Sequence, residues 1–89
     1  MPDTLSPITI RKRASADQIQ AELQERIDRL AARDNTFGDC IAARPRSLTT
    51  RGDSAPNWTV DGFPGLPSGG FGRMVRLLDQ VRMEYELID

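Results

Sequence analysis

Apolar residues recur at Ile19, Leu23, Ile27, Leu30 and Ala31, three and four positions apart, while Gln20, Gln24, Glu25, Asp28 and Arg29 occupy the positions between them. That period predicts an amphipathic helix with one buried side. Ser15 followed by Gln18 has the spacing of a capping box, in which side chain and backbone satisfy each other's exposed donors, so the helix is expected over about residues 16–34. Within it Glu22 to Arg26 and Glu25 to Arg29 are attractive four-residue pairs, and Arg29 to Arg33 is a weakly repulsive one. Each is worth about 0.2–0.5 kcal/mol, which tunes helicity rather than function. A second stripe, Phe71, Met74, Val75, Leu78, Val81 and Tyr85, predicts a second helix from Ser68 or Gly69 to about Leu87, with Arg73, Arg76, Asp79, Gln80 and Glu84 outside the buried side.

The stretch between the helices follows a different period. Asn35 to Asp39 breaks the first helix, and Phe37 is expected to fold back over its last turn. Residues 40–50 read as an irregular strand, held at a sheet edge by Pro45, which cannot donate a ladder hydrogen bond. Turn residues 51–56 lead into a return strand, Asn57 to Val60, whose two-residue period puts Trp58 and Val60 on one face, toward the helices. Upstream, Ile8 to Arg11 alternates as a short half-buried edge strand would, or as an extended lead-in. Residues 1–7 have no apolar period and carry two prolines, and read as a flexible tail. The expected architecture is one α+β domain over residues 8–89, a small β-hairpin or three-stranded antiparallel sheet packed on two amphipathic helices, in the order (β)-α-β-β-α. No internal repeat or heptad array is visible.

Cys40, then Arg44-Pro45, then Asn57-Trp58-Thr59-Val60, then a helix closing on Tyr85-Glu86-Leu87, resembles the layout of a set of small uncharacterised bacterial proteins. The match covers about residues 15–89. The resemblance implies a helix, hairpin, helix order; it implies no reaction, cofactor or site residue.

Composition narrows the function. In 89 residues, 12 basic side chains nearly balance 13 acidic ones for a net charge of -1, which argues against a dedicated polyanion binder. There is no histidine, so Ser-His, Cys-His and His-based zinc chemistry are excluded within one chain. The remaining carboxylates, such as Asp17 with Glu22 or Glu84 with Asp89, fall on solvated helix positions that give neither the burial nor the raised pKa an acid-base pair needs. Cys40 is the only cysteine; it reads as a small interior hydrophobe rather than a reactive thiol, and a reducing cytoplasm is the expected location. No apolar run near the start has the length of a signal peptide or membrane span.

Three short motifs have bland readings. Gly65 to Gly70 has the end-glycine spacing of a phosphate loop, but Phe71 and Gly72 stand where that motif needs Lys and Ser or Thr. A weaker anion site at Gly69 and Gly70 is a third-ranked possibility. Arg51-Gly52-Asp53 reads as a turn, and Asn57-Trp58-Thr59 as a strand rather than a glycosylation acceptor.

The candidate binding residues are Arg44, Arg46 and Arg51 on the hairpin edge, with Arg11 and Arg13, on either side of Lys12, as a second basic group. The expected function is a non-enzymatic protein-interaction or dimerisation module, with a homodimer or another protein as partner, no cofactor, no metal and no membrane. The alternative is nucleic-acid binding through the arginine-rich hairpin edge. Trp58, alternating with Val60, is expected in the core rather than on a stacking platform.

Overall fold

The computed structural model describes residues 11–48 and 56–88. The expected tail at residues 1–7, most of the Ile8 to Arg11 strand, the end of the strand after Leu48, the turn at 51–55 and Arg51 itself lie outside the described residues.

Helix α1 spans Ala16–Arg33 and begins as its sequence dictates. The Gln18 amide N–H donates to Ser15 Oγ at 3.2 Å, and the Ser15 N–H donates to Gln18 Oε1 at 2.9 Å, so two donors with no intrahelical partner are satisfied reciprocally. Ile19, Leu23 and Ile27 are wholly buried and form one wall of the core. Asp34 ends the helix, and its carboxylate caps a 3₁₀ turn, Asn35–Phe37, by accepting from the Thr36 N–H. Phe37 is buried, as expected, and its ring abuts Gly70, where a Cβ would lie 2.9 Å from the ring.

The hairpin forms with fewer rungs than expected. Strands β2 (Arg46–Ser47) and β3 (Trp58–Thr59) pair antiparallel, with Arg46 opposite Thr59 and Ser47 opposite Trp58, and the Leu48 N–H donates to Asn57 O at 2.8 Å. Residues 40–45 are not a strand because their backbone is bonded elsewhere. Gln24 Oε1 accepts from the Ala42 N–H at 2.8 Å, Gln20 Nε2 donates to Ala42 O at 3.0 Å, and Gln24 Nε2 reaches Cys40 O at 3.4 Å. Two glutamines of α1 thus take the place of a neighbouring strand. Pro45 directly precedes β2 and limits the pairing, as its missing N–H requires.

Helix α2 spans Phe71–Glu84, starting later and ending three residues sooner than its apolar stripe suggests. Tyr85–Leu87 is instead strand β4, which pairs parallel with β1, Lys12–Ala14, in the register Lys12 to Tyr85, Arg13 to Glu86 and Ala14 to Leu87. The observed order is β-α-β-β-α-β, with two two-stranded sheets rather than the three-stranded antiparallel alternative. The α+β class and the hairpin on two helices hold; the first described strand lies at Lys12–Ala14, just after the expected one.

The outer edge of β4 is closed by side chains. Asn57 accepts from the Leu87 N–H at 3.0 Å and donates to Leu87 O at 2.8 Å, and Trp58 Nε1 donates to Tyr85 O at 2.9 Å. One amide side chain therefore supplies both bonds of a strand rung, joining hairpin to parallel pair. Replacing Asn57 with Ala orphans a part-buried donor and acceptor together, for an expected loss of about 1–3 kcal/mol. The loss should appear as a lower denaturation midpoint and faster hydrogen exchange at the Leu87 amide; no change in either would show that this clasp contributes nothing.

Trp58 and Val60 are both buried, Trp58 completely, together with Met74, Val81, Leu87, Ala14, Cys40 and Ala42. Phe71, expected in the buried stripe of α2, is instead 70% exposed at the helix's first position, where Phe37 against Gly70 closes that end of the core. No helix among the described residues is long and apolar enough to cross a membrane.

Candidate functional site

The two helices run antiparallel, as two ion pairs across them show. Arg26 of α1 donates to Glu84 at the end of α2, at 2.5 Å, and Arg73 at the start of α2 meets Asp34 at the end of α1, at 3.2 Å. Between these clamps lies a groove of about 370 Å³, lined by Arg26, Arg29, Leu30 and Arg33 from α1 and by Arg73, Arg76, Leu77 and Gln80 from α2. Leu30 and Leu77 are half-buried, packed on the core, while Arg29, Arg33 and Arg76 are exposed along the rim.

The groove has a local repeat. Arg26-Ile27-Asp28-Arg29-Leu30 and Arg73-Met74-Val75-Arg76-Leu77 each place two arginines and a leucine at i, i+3 and i+4. Residues at those offsets share one helix face, so each stretch turns an apolar residue inward, at Ile27 or Met74, and carries an Arg-Leu stripe along the groove. The antiparallel arrangement then faces one stripe with the other. In each stripe the first arginine reaches across to a carboxylate at the far helix's C-terminal end.

The charges are unevenly compensated. Arg26 also contacts Glu22 at 2.8 Å, so it has two carboxylate partners, and Arg29 pairs with Glu25 at 2.9 Å. Both four-residue pairs are those expected from sequence. The hydrogen bond from Arg26 holds the Glu84 carboxyl below its ordinary range, against the opposing effect of desolvation. Asp34 is likewise held low, by hydrogen bonds from the Thr36 side chain and backbone, with Arg73 adding to the effect. Arg33 and Arg76 have no carboxylate partner among the described residues. One end of the groove, by Arg33, Arg76 and the Arg73–Asp34 pair, therefore has surplus positive charge; at the other, Glu22 and Glu84 compensate Arg26, and the Lys12 charge also acts on Glu84.

The residues singled out from sequence are arranged differently. Arg44 forms an ion pair with Asp17 of α1, and Arg46 pairs with Asp61 at 2.6 Å, so carboxylates from outside the hairpin stand beside both of its described arginines. Arg51 lies outside the described residues. Arg13 is exposed on β1 opposite Glu86 in the register, and Arg11 Nη2 contacts the Met83 sulfur at 3.8 Å. Lys12 lies over the Tyr85 ring, 5.9 Å from its centroid. The Lys12 charge also acts on Glu84, the carboxylate bonded to Arg26 at one end of the helix groove. At the start of α2 the hollow beside Gly69 and Gly70 is also lined by Asp34 and Arg73, which are paired with each other, so it offers an anion no uncompensated cation. Cys40 is buried and desolvation pushes its thiol pKa up, as suits an interior side chain.

Sequence reading missed the groove. Its signal was the Arg-x-x-Arg-Leu spacing in both helices, which marks two like faces but does not say that they face each other.

Compared with known proteins, the chain matches no family model, no curated protein and no solved structure. These comparisons leave the resemblance at Asn57-Trp58 where the sequence puts it.

Proposed function

We propose that this protein is a non-enzymatic protein-interaction module that docks an acidic segment of a partner protein in the groove between α1 and α2. The observation that carries this reading is the pair Arg33 and Arg76, which line one groove with no carboxylate partner among the described residues, beside two half-buried leucines. Guanidinium groups left uncompensated around apolar surface suit carboxylates flanking an apolar side chain. The chain's own exposed carboxylates on α1 fit less well, because Asp17 and Glu25 are already paired with Arg44 and Arg29 and Asp28 accepts a hydrogen bond from Gln24. A different protein is therefore the favoured occupant over a second copy. The near-neutral overall charge favours a local carboxylate contact over a polyanion.

Titration with a fluorescent peptide of glutamates and leucine tests this. Arg33→Glu with Arg76→Glu should abolish binding while leaving the melting temperature nearly unchanged, since both side chains are exposed and have no carboxylate partner among the described residues. If the wild-type protein ignores the peptide, or the double variant still binds it, the groove is not the docking surface. A single-stranded oligonucleotide of equal charge serves as competitor. Tighter binding of the oligonucleotide, with a steep salt dependence and sensitivity to Arg44→Glu with Arg46→Glu, would replace this reading with the nucleic-acid one.

A further inference from the structure

Resting on that docking reading, we infer that the occupant is a short amphipathic helix, about two turns long, whose carboxylates lie on one flank of a central apolar residue. Length comes from the clamps. Arg26 and Arg33 are seven residues apart on α1, which at 1.5 Å per residue leaves about 10 Å of open groove. The Arg26–Glu84 and Arg73–Asp34 pairs bridge the helices at the two ends, so a longer segment meets side chains already bonded to each other. Shape comes from the walls, because two packed antiparallel helices leave a trough along their shared axis, the surface that receives an amphipathic helix. Leu30 and Leu77 form the apolar contact.

Polarity comes from the charge imbalance. The two arginine stripes repeat the same spacing, yet the fourth groove position is Arg33 on α1 and Gln80 on α2. Arg33 and Arg76 concentrate positive charge at the Asp34 end, whereas at the other Glu22 and Glu84 compensate Arg26, with the Lys12 charge also acting on Glu84. Carboxylates at the first end gain guanidinium partners. Carboxylates at the second meet an arginine already bonded to Glu22 and Glu84. Glutamates split evenly about the apolar anchor therefore lose a guanidinium contact.

Three helix-stabilised synthetic peptides of equal net charge separate the possibilities: glutamates on one flank of a leucine, glutamates split over both flanks, and the one-flank peptide with leucine replaced by serine. The split peptide should bind roughly two- to fivefold more weakly than the one-flank peptide. Loss of the leucine should cost roughly tenfold. Glu84→Gln should narrow the gap between split and one-flank peptides, and Arg33→Gln should narrow it from the other end. Equal binding of all three peptides, abolished by the Arg33 and Arg76 reversals, would overturn the helix and its polarity while leaving acidic docking intact. No binding of any peptide would overturn both. Self-association that blocks the groove, seen by light scattering and removed by the same reversals, would make a second copy the occupant and also overturn the inference.

Discussion

Trp58→Ala should remove a large share of the stability of this domain. The indole is completely buried between β3 and the helices, its Nε1 donates to Tyr85 O, and its own backbone oxygen accepts from Arg82 Nε at 2.8 Å. Truncating a buried aromatic to Ala costs about 3–5 kcal/mol, out of a total stability of roughly 5–15 kcal/mol for a domain. In a chain of this size that lowers the melting temperature by at least about 12 °C. Trp58→Phe separates the contributions, because most of the ring remains while the bond to Tyr85 O is lost. It should cost about 1–3 kcal/mol, the range for one orphaned buried acceptor plus a modest loss of packing. A Trp58→Ala protein melting within a few degrees of wild type would show that the indole does not anchor this core. Equal damage from Phe and Ala would assign the anchoring to the hydrogen bond alone.

The second large effect is expected at Gly65. Its φ of +80° is in the left-handed region, and a Cβ there would lie 1.8 Å from Asp39 O and 2.6 Å from the carbonyl carbon. Neither atom is the end of a flexible side chain. The backbone around Asp39 must move, and with it Cys40 and the bond from the Ile41 N–H to Pro64 O at 2.8 Å. Gly69 is the internal control. It has nearly the same φ, +83°, but nothing within 4 Å of an added Cβ, so Gly69→Ala incurs only the left-handed strain of about 1–2 kcal/mol. Gly65→Ala adds a clash of about 1–3 kcal/mol or more to the same strain. Denaturant titrations of the two variants side by side should place Gly65→Ala well below Gly69→Ala; equal midpoints would mean that the close approach to Asp39 is absent in solution.

Much of this architecture is legible along the chain, for reasons local to each segment. Ser15 with Gln18 marks the start of α1 because a capping box is completed within four residues. Ile19, Leu23 and Ile27 identify the buried face because helical period alone brings them together. The alternation of Trp58 and Val60 places both inward for the same kind of reason. The end of α2 is not legible in this way. Tyr85-Glu86-Leu87 continues an acceptable helical pattern, and it becomes a strand because β1, 71 or more residues away, offers a parallel partner and Asn57 and Trp58 bond its other edge. Residues 40–45 lose their expected strand to the side chains of Gln20 and Gln24, a competition that no local pattern reveals.

The arginines show the same division. From the sequence alone, Arg44 and Arg46 form an uninterrupted basic group, but folding brings Asp17 and Asp61 to them from other parts of the chain. Arg33 and Arg76 look like ordinary solvated residues on separate helices, and folding sets them along one groove with no carboxylate partner among the described residues. The sequence by itself determined the two amphipathic helices, the cap of the first, the inward Trp58 and the α+β class, because each rests on contacts among neighbours a few residues apart. Only the tertiary structure decided the parallel β1–β4 pair, the Asn57 clasp and which of the described arginines have a carboxylate partner. Those depend on charge and hydrogen-bond partners that meet across tens of residues, and a partner's identity is set by the packing of the helices, not by its distance along the chain.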